Sequence, residues 1–157
     1  MSPDVSLVLG FLNTVDVEQD TDVLRTEPDW HAWARERDLR PDALADAVRA
    51  RGALRAALGD PDAMPAEVGA PVEVTLSAAG PELAAASAVG AVFAAAARLA
   101  VRGEWDRLKI CPADDCRWAF YDQSRNRSRT WCSMKVCGNR QKARAFRERS
   151  TERGPCG

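Results

Sequence analysis

The residues with the plainest chemistry in this chain are five cysteines, all of which lie after residue 110. Cys111 and Cys116 are separated by four residues in CPADDC, Cys132 and Cys137 by four in CSMKVC, and fifteen residues lie between the pairs. Paired cysteines joined by a connector of roughly 15–20 residues let two short turns close on one tetrahedral ion. Four thiolates at ~2.3 Å fill the shell of zinc and leave no position for a substrate water, so one structural Zn²⁺ on Cys111, Cys116, Cys132 and Cys137 is expected. An iron–sulfur cluster also takes four cysteines, but the basic surroundings and the lack of a redox-partner motif favour zinc. In a reducing compartment, clustered cysteines are more often metal ligands than disulfides. Cys156, in the tail RGPCG, is expected to be a free thiol and not a ligand.

Catalytic chemistry finds little support. His31 is the single histidine, it stands beside two tryptophans, and no Ser, Asp and His constellation can be assembled around it. No glycine-rich phosphate loop occurs. The chain is therefore expected not to be an enzyme.

The arginines are the second group with chemistry to offer. Residues 1–101 hold 8 Lys+Arg against 16 Asp+Glu, while residues 102–157 hold 14 against 7. The near-neutral net charge of −1 thus hides a basic segment on an acidic body, an asymmetry that suits a polyanionic partner or attraction between the halves. Zn²⁺ on four thiolates subtracts two charges from the basic segment and leaves it cationic. Arg125, Arg127 and Arg129 crowd into the turn-like SRNRSR and are expected to reach phosphates. Farther on, a helical projection places Arg140, Arg144 and Arg147 along one flank of a stripe formed by Val136, Asn139, Ala143 and Phe146, and Lys135, Lys142 and Arg149 along the other. The stripe is expected to be buried against a hairpin, with the basic rows facing nucleic acid. Asn139 would then either hold the fold or touch a base. Arg140 and Arg144 could present a guanidinium fork to guanine, or Arg140 could pair with Asp114 or Asp115 of the first knuckle. Aromatic residues among the arginines would suit stacking on unpaired bases, so RNA stays open beside DNA, and Trp118 or Tyr121 exposed on the basic face would favour it.

Elements that position these groups follow from periodicity. VSLVLGFLNTV from Val5 to Val15 fits a helix or a short strand with a turn at Asn13-Thr14, and helix is the expectation. Pro28 opens a short helix carrying Trp30 and Trp33. A third helix runs from Pro41-Asp42 to Gly59 with Leu44, Val48, Arg51, Leu54 and Leu58 on one stripe. The proline-rich stretch after it is a loop with one strand in VEVTL. Pro81 to Arg102 is apolar on nearly every face and should be the central helix, ending near Gly103. Its longest uncharged run, Leu83 to Ala97, is fifteen residues and mostly alanine, too short for the ~20 residues that span a bilayer. MSPDVS brings no basic residue ahead of the first apolar stretch, so no secretory signal is expected and a cytoplasmic protein is. Between the cysteine pairs, Trp118, Phe120 and Tyr121, a turn at DQSRNRS, then Thr130 and Trp131 predict a hairpin. Ser133 is expected to cap the helix that carries Cys137 near its start.

The run CPADDCRWAFYDQSRNRSRTWCSMKVCGNRQKARAFR is very similar to the CGNR zinc-finger family, named for the string Cys137-Gly138-Asn139-Arg140. LGFLNTVD, from Leu9 to Asp16, resembles the opening of the ABATE-type domain that accompanies that finger. This resemblance implies a bacterial, stress-related transcription regulator whose finger binds DNA. The resulting expectation is mainly α: a helical body over 1–103 that senses, dimerises or recruits, and a treble-clef-like zinc module over 104–157 built of knuckle, β-hairpin and helix. A homodimer is among the assemblies it allows. A zinc-stapled protein-contact or RNA-binding module is the alternative. A fragment from Arg102 onward is expected to fold with zinc and bind nucleic acid.

Overall fold

In the computed structural model, which describes residues 1–154, three two-stranded antiparallel hairpins are set among five α-helices of the described chain, after α1, after α3 and after α4. Cys156 lies outside the described residues. Helix α1, Pro3–Leu12, begins where the Ser2 hydroxyl accepts from the Val5 amide and Pro3 fixes the first turn. A small hairpin follows, β1 (Val15–Asp16) and β2 (Thr21–Asp22). Thr26 caps α2, Glu27–Arg35, by accepting from the Asp29 amide. Trp30 and Trp33 of α2 stack at 5.3 Å and each meets Phe11 of α1 within 6 Å, an aromatic triad at the centre of the body.

Helix α3, Leu44–Ala57, starts later than its proline suggests. The Asp42 carboxylate accepts instead from the Val89 amide at 2.8 Å, so it caps the central helix rather than its own. The buried face of α3 is Ala47, Ala50 and Leu54, and Val48 is 42% exposed. The expected stripe is otherwise kept: Leu44 and Leu58 pack against the core and Arg51 meets Asp22 at 2.6 Å, while small alanines beside it let α3 lie close to its neighbours. Two strands occupy the region beyond the loop where one was expected: β3, Glu73–Ser77, and β4, Gly80–Ala84. The central helix α4 is correspondingly shorter, Ala88–Val101. Pro81 to Ala84 joins the hairpin, and Ser87 caps the helix through the Gly90 amide. Gly90 keeps the proline-rich loop against this first turn, since a Cβ there would stand 2.9 Å from the Pro71 carbonyl oxygen. Eight residues of α4 are buried, and α1 is its main helical partner.

The core does not end at the composition break near Gly103. Strand β5, Leu108–Ile110, pairs with β6, Ala119–Tyr121, and Leu108, Ile110 and Ala119 are buried in the same cluster as Phe11, Trp30 and Leu99. Asn13 stitches this seam from the body side: its amide donates to the Ala119 carbonyl at 2.9 Å and its oxygen accepts from the Ala119 amide at 2.8 Å. The chain closes with a π-turn, Met134–Gly138, that runs into α5, Asn139–Glu152. No helix among the described residues is long and apolar enough to cross a membrane.

Candidate zinc centre and basic helix

CPADDC forms the turn between β5 and β6. The Cys111 amide donates to the Trp118 carbonyl and the Cys116 amide to the Ala113 carbonyl, closing a tight knuckle. Arg117 takes a left-handed φ of 54°, turning the chain out of it, and its guanidinium is held by Asp62 at 2.7 Å and the Pro112 carbonyl at 2.6 Å. This hairpin differs from the expected one. β6 pairs with the strand before the first cysteine, not with Thr130-Trp131, because the knuckle brings those two strands side by side while the longer connector leads to the second cysteine pair.

The other two thiols come from that second segment. Ser133 accepts from the Val136 amide and starts the π-turn, as its sequence position predicts, so Cys137 lies on the turn and Cys132 just ahead of it. Gly138 follows because a Cβ there would stand 2.9 Å from Met134 Sδ and 3.3 Å from the Trp131 ring. The Sγ atoms of Cys111, Cys116, Cys132 and Cys137 lie within 4.8 Å of one another, and Cys132 is 3.6 Å from both Cys116 and Cys137. A tetrahedron with ~2.3 Å metal–sulfur bonds has sulfur–sulfur edges of about 3.8 Å. A disulfide needs about 2.05 Å, and none forms among these four.

The electrostatics ask for a cation. Burial and then the neighbouring thiols Cys116 and Cys137 push the Cys132 thiol far up. Burial and then the Cys116 and Cys111 thiols, against an opposing hydrogen bond with Cys132, push Cys137 up to about 11. Burial opposes ionisation of Cys111 as well, but the Cys132 and Ala113 amides aimed at its sulfur outweigh it and lower its pKa. Four sulfurs this close cannot all ionise without a compensating charge, which a divalent metal supplies.

A buried carboxylate that the sequence did not announce organises the connector. Asp122 is fully buried and accepts from Lys109 Nζ at 2.6 Å and from the Ser124 and Arg129 amides at 2.9 Å each. Burial works against its charge, yet these three donors hold it well below the usual carboxylate range. Lys109 also donates to the Arg127 and Arg129 carbonyls. The SRNRSR segment is therefore pinned from inside, not a free turn. Arg129 donates to the Trp131 and Cys132 carbonyls and covers the Phe120 ring at 5.0 Å, which makes it a support of the second cysteine pair. Arg127 reaches the Gly103 carbonyl at 3.2 Å and Asp106 at 3.6 Å. Arg125 is exposed.

Helix α5 departs from expectation in its packing. None of its residues is buried, and the apolar stripe faces outward: Val136 is 48% exposed and Phe146 66%. Asn139 is exposed too, donating to the Lys135 carbonyl four residues back at 3.2 Å. The helix is held by its arginine flank instead. Arg140 pairs with Asp115 at 2.7 Å and with Glu18 of the body at 3.1 Å. Arg144 pairs with Asp114 at 2.8 Å and Asp115 at 3.3 Å. The knuckle is too small to cover an apolar stripe, and its two acids draw the arginine flank inward. Lys142, Arg147, Lys135 and Arg149 remain exposed. Trp118 is 38% exposed, but it lines a groove with Asp16 and Glu18 rather than with the cations.

These pairings assign a positioning duty to Arg140. Arg140→Ala is expected to lower the thermal midpoint and the zinc retained against a chelator, with sequence preference unchanged. A thermal melt and a binding competition on one preparation check this; unchanged stability would reject the duty.

The family model of the CGNR zinc finger matches residues 107–150, from just ahead of β5 into the last turn of α5. The four clustered cysteines lie within the matched residues and fit one structural zinc ion. No curated protein matches the chain.

Proposed function

We propose that this chain binds nucleic acid, DNA foremost, through its zinc-held C-terminal module, as a cytoplasmic bacterial transcription regulator whose helical body senses, dimerises or recruits. The observation that carries the reading is the set of exposed cations on and before α5: Lys135, Lys142 and Arg149 along one flank and Arg147 on the other, with Arg125 on the connector. Cations left free by the fold are the ones that can displace counterions from phosphates. A knuckle between two strands followed by a ligand-bearing helix supports a treble-clef-like reading of the module. The ABATE-type character of the body rests on LGFLNTVD, whose Asn13 makes the two-way bond to Ala119. Base readout by Arg140 or Arg144 would require them to leave Asp114 and Asp115, so phosphate contact is assigned chiefly to Arg125, Lys142 and Arg147, with Arg127 and Arg129 more constrained. Catalysis has no place in the reading, and the single histidine, His31, is an exposed residue of α2.

A second reading has one observation in its favour. Phe146 is 66% exposed on the face of α5 that carries Lys142 and Arg149, an arrangement suited to stacking an unpaired base of RNA.

The test is a salt-dependent anisotropy titration of zinc-loaded full-length protein against duplex DNA and RNA of matched length. Lys142→Ala and Arg147→Ala are each expected to weaken duplex binding for all sequences alike and to reduce the log–log salt slope by about 0.9. Absence of binding at low salt would overturn the reading. RNA preferred over duplex, with the loss concentrated in Phe146→Ala, would select the second one.

A further inference from the structure

The solvent side of α5 carries two side chains that packing does not account for. At helical spacing Asn139 and Phe146 share a face, with Ala143 between them and Lys142 and Arg149 along its edge. All five are exposed. Asparagine disfavours a helix unless it caps one, yet Ser133 is the cap here and Asn139 comes after the π-turn. Its one bond among the described residues, to the Lys135 carbonyl at 3.2 Å, leaves the carboxamide oxygen and the second N–H without a partner there. Phe146, 66% exposed, adds little burial to the fold.

We propose that this face enters the major groove of duplex DNA, where Asn139 selects an adenine and Phe146 a thymine. The proposal rests on the reading of the module as DNA-binding and adds the residues that give it sequence specificity. In the major groove adenine presents N7 as an acceptor and its N6 amino group as a donor. A carboxamide answers both at once, Nδ2 donating to N7 and Oδ1 accepting from N6. The C5-methyl of thymine is the apolar mark of that groove, and an apolar side chain is what meets it. Ala143, with a single methyl between the two readers, lets the helix lie close to the bases. A helix about 10–12 Å across fits a groove about 12 Å wide. Phe146 follows Asn139 by seven residues, about 10 Å along the helix, which is the rise of about three base pairs.

The charges fit this occupant. Lys142 and Arg149 lie along one edge of the face and Arg147 beyond the other, while Glu148 and Glu152, the acids of α5, turn away from it. The acids nearest the helix are neutralised on its inner side, Asp114 and Asp115 by Arg144, Asp115 and Glu18 by Arg140. Those pairings hold the two arginines that would read guanine away from the exposed face, so base readout falls to Asn139 and Phe146. A single strand would call for successive rings on which its bases stack. Phe146 is the one aromatic residue of α5, for Trp118 opens onto the groove of Asp16 and Glu18, and Phe120 lies under Arg129.

The experiment is selection by zinc-loaded full-length protein from duplexes with a randomised centre, followed by competition titrations on the recovered site. An adenine and a thymine about three base pairs apart are expected in it. Asn139→Ala should lower affinity for that site about 5- to 150-fold and accept any base in place of the adenine. Substituting 7-deazaadenine, which lacks the N7 acceptor, should weaken the wild type but not Asn139→Ala. Substituting deoxyuridine for the thymine removes only the methyl and should weaken the wild type about fourfold, with no effect on Phe146→Ala. Lys142→Ala should weaken every duplex alike and keep the preferred site. Asn139→Ala should also retain its zinc and its thermal midpoint; loss of either would make Asn139 a support of the fold and overturn the proposal. A recovered site indifferent to both base analogues, or RNA preferred over duplex DNA, would overturn it as well. Duplex binding without any base preference would overturn the readout and leave the DNA-binding reading standing, whereas no binding at low salt would overturn both.

Discussion

Serine in place of any one of Cys111, Cys116, Cys132 or Cys137 is expected to abolish tight zinc binding and to unfold the C-terminal module, with the damage reaching into the body. Structural zinc in finger peptides contributes about 10–16 kcal/mol of apparent free energy near neutral pH. Whole domains are stable by only about 5–15 kcal/mol, so the metal decides whether this segment folds. The Sγ cluster supports the effect for each position, since all four sulfurs lie within 4.8 Å. Propagation is expected because Leu108, Ile110 and Ala119, which frame the first knuckle, belong to the core of α1 and α4. Zinc content by elemental analysis and near-ultraviolet circular dichroism of the tryptophans measure the two parts. Purified wild type holding less than half an equivalent of zinc, or holding iron, would refute the assignment.

The metal centre was legible because its determinants are local: residue type and spacing suffice to say that two turns can meet on one ion. So were the bodies of α1, α2 and α4, whose apolar periods act within a few residues, but not the start of α4, which Ser87 caps and the sequence places at Pro81. What escaped depends on partners distant in the chain. The strand pair β5–β6 could not be read from its three-residue elements, because its position is set by Asn13, 106 residues away, and by the shared core. Helix α5 shows a clean stripe, but a stripe says only that a face could be buried. Whether it is depends on the area of the surface opposite, and here two aspartates on a small knuckle outcompete it for the helix. Lys109 and Asp122 are thirteen residues apart, each unremarkable alone, and become the anchor of the connector only once β5 and β6 pair. The expectation for a fragment beginning at Arg102 changes for the same reason. Such a fragment would present Leu108, Ile110 and Ala119 to water and leave the Ala119 backbone without Asn13.

The seam between body and module predicts the second large effect, and Arg55 concentrates it. Nothing in its local sequence marks this arginine of α3, yet its side chain is 7% exposed. Its Nε donates to Asp60 at 2.6 Å, Nη1 to the Leu12 carbonyl at 2.9 Å and Nη2 to the Arg117 carbonyl at 2.7 Å. One planar fork thus ties the end of α1, the turn after α3 and the residue beside Cys116. Arg55→Ala leaves the Asp60 carboxylate, itself only 3% exposed, without its counter-charge. Removing one partner of a buried pair costs about 3–5 kcal/mol, a fifth or more of the about 5–15 kcal/mol by which a domain is stable. Lysine keeps the charge but not the three-way fork, so Arg55→Lys should fall between. Urea unfolding measures the loss, and transfer of zinc to a chromophoric chelator measures whether it crosses the seam. Faster zinc release from Arg55→Ala is expected, because the Arg117 carbonyl that loses its donor is one residue from a ligand. A lowered urea midpoint with unchanged release would confine Arg55 to the body, and the module would then hold its metal without the core that α1 and α4 lend it.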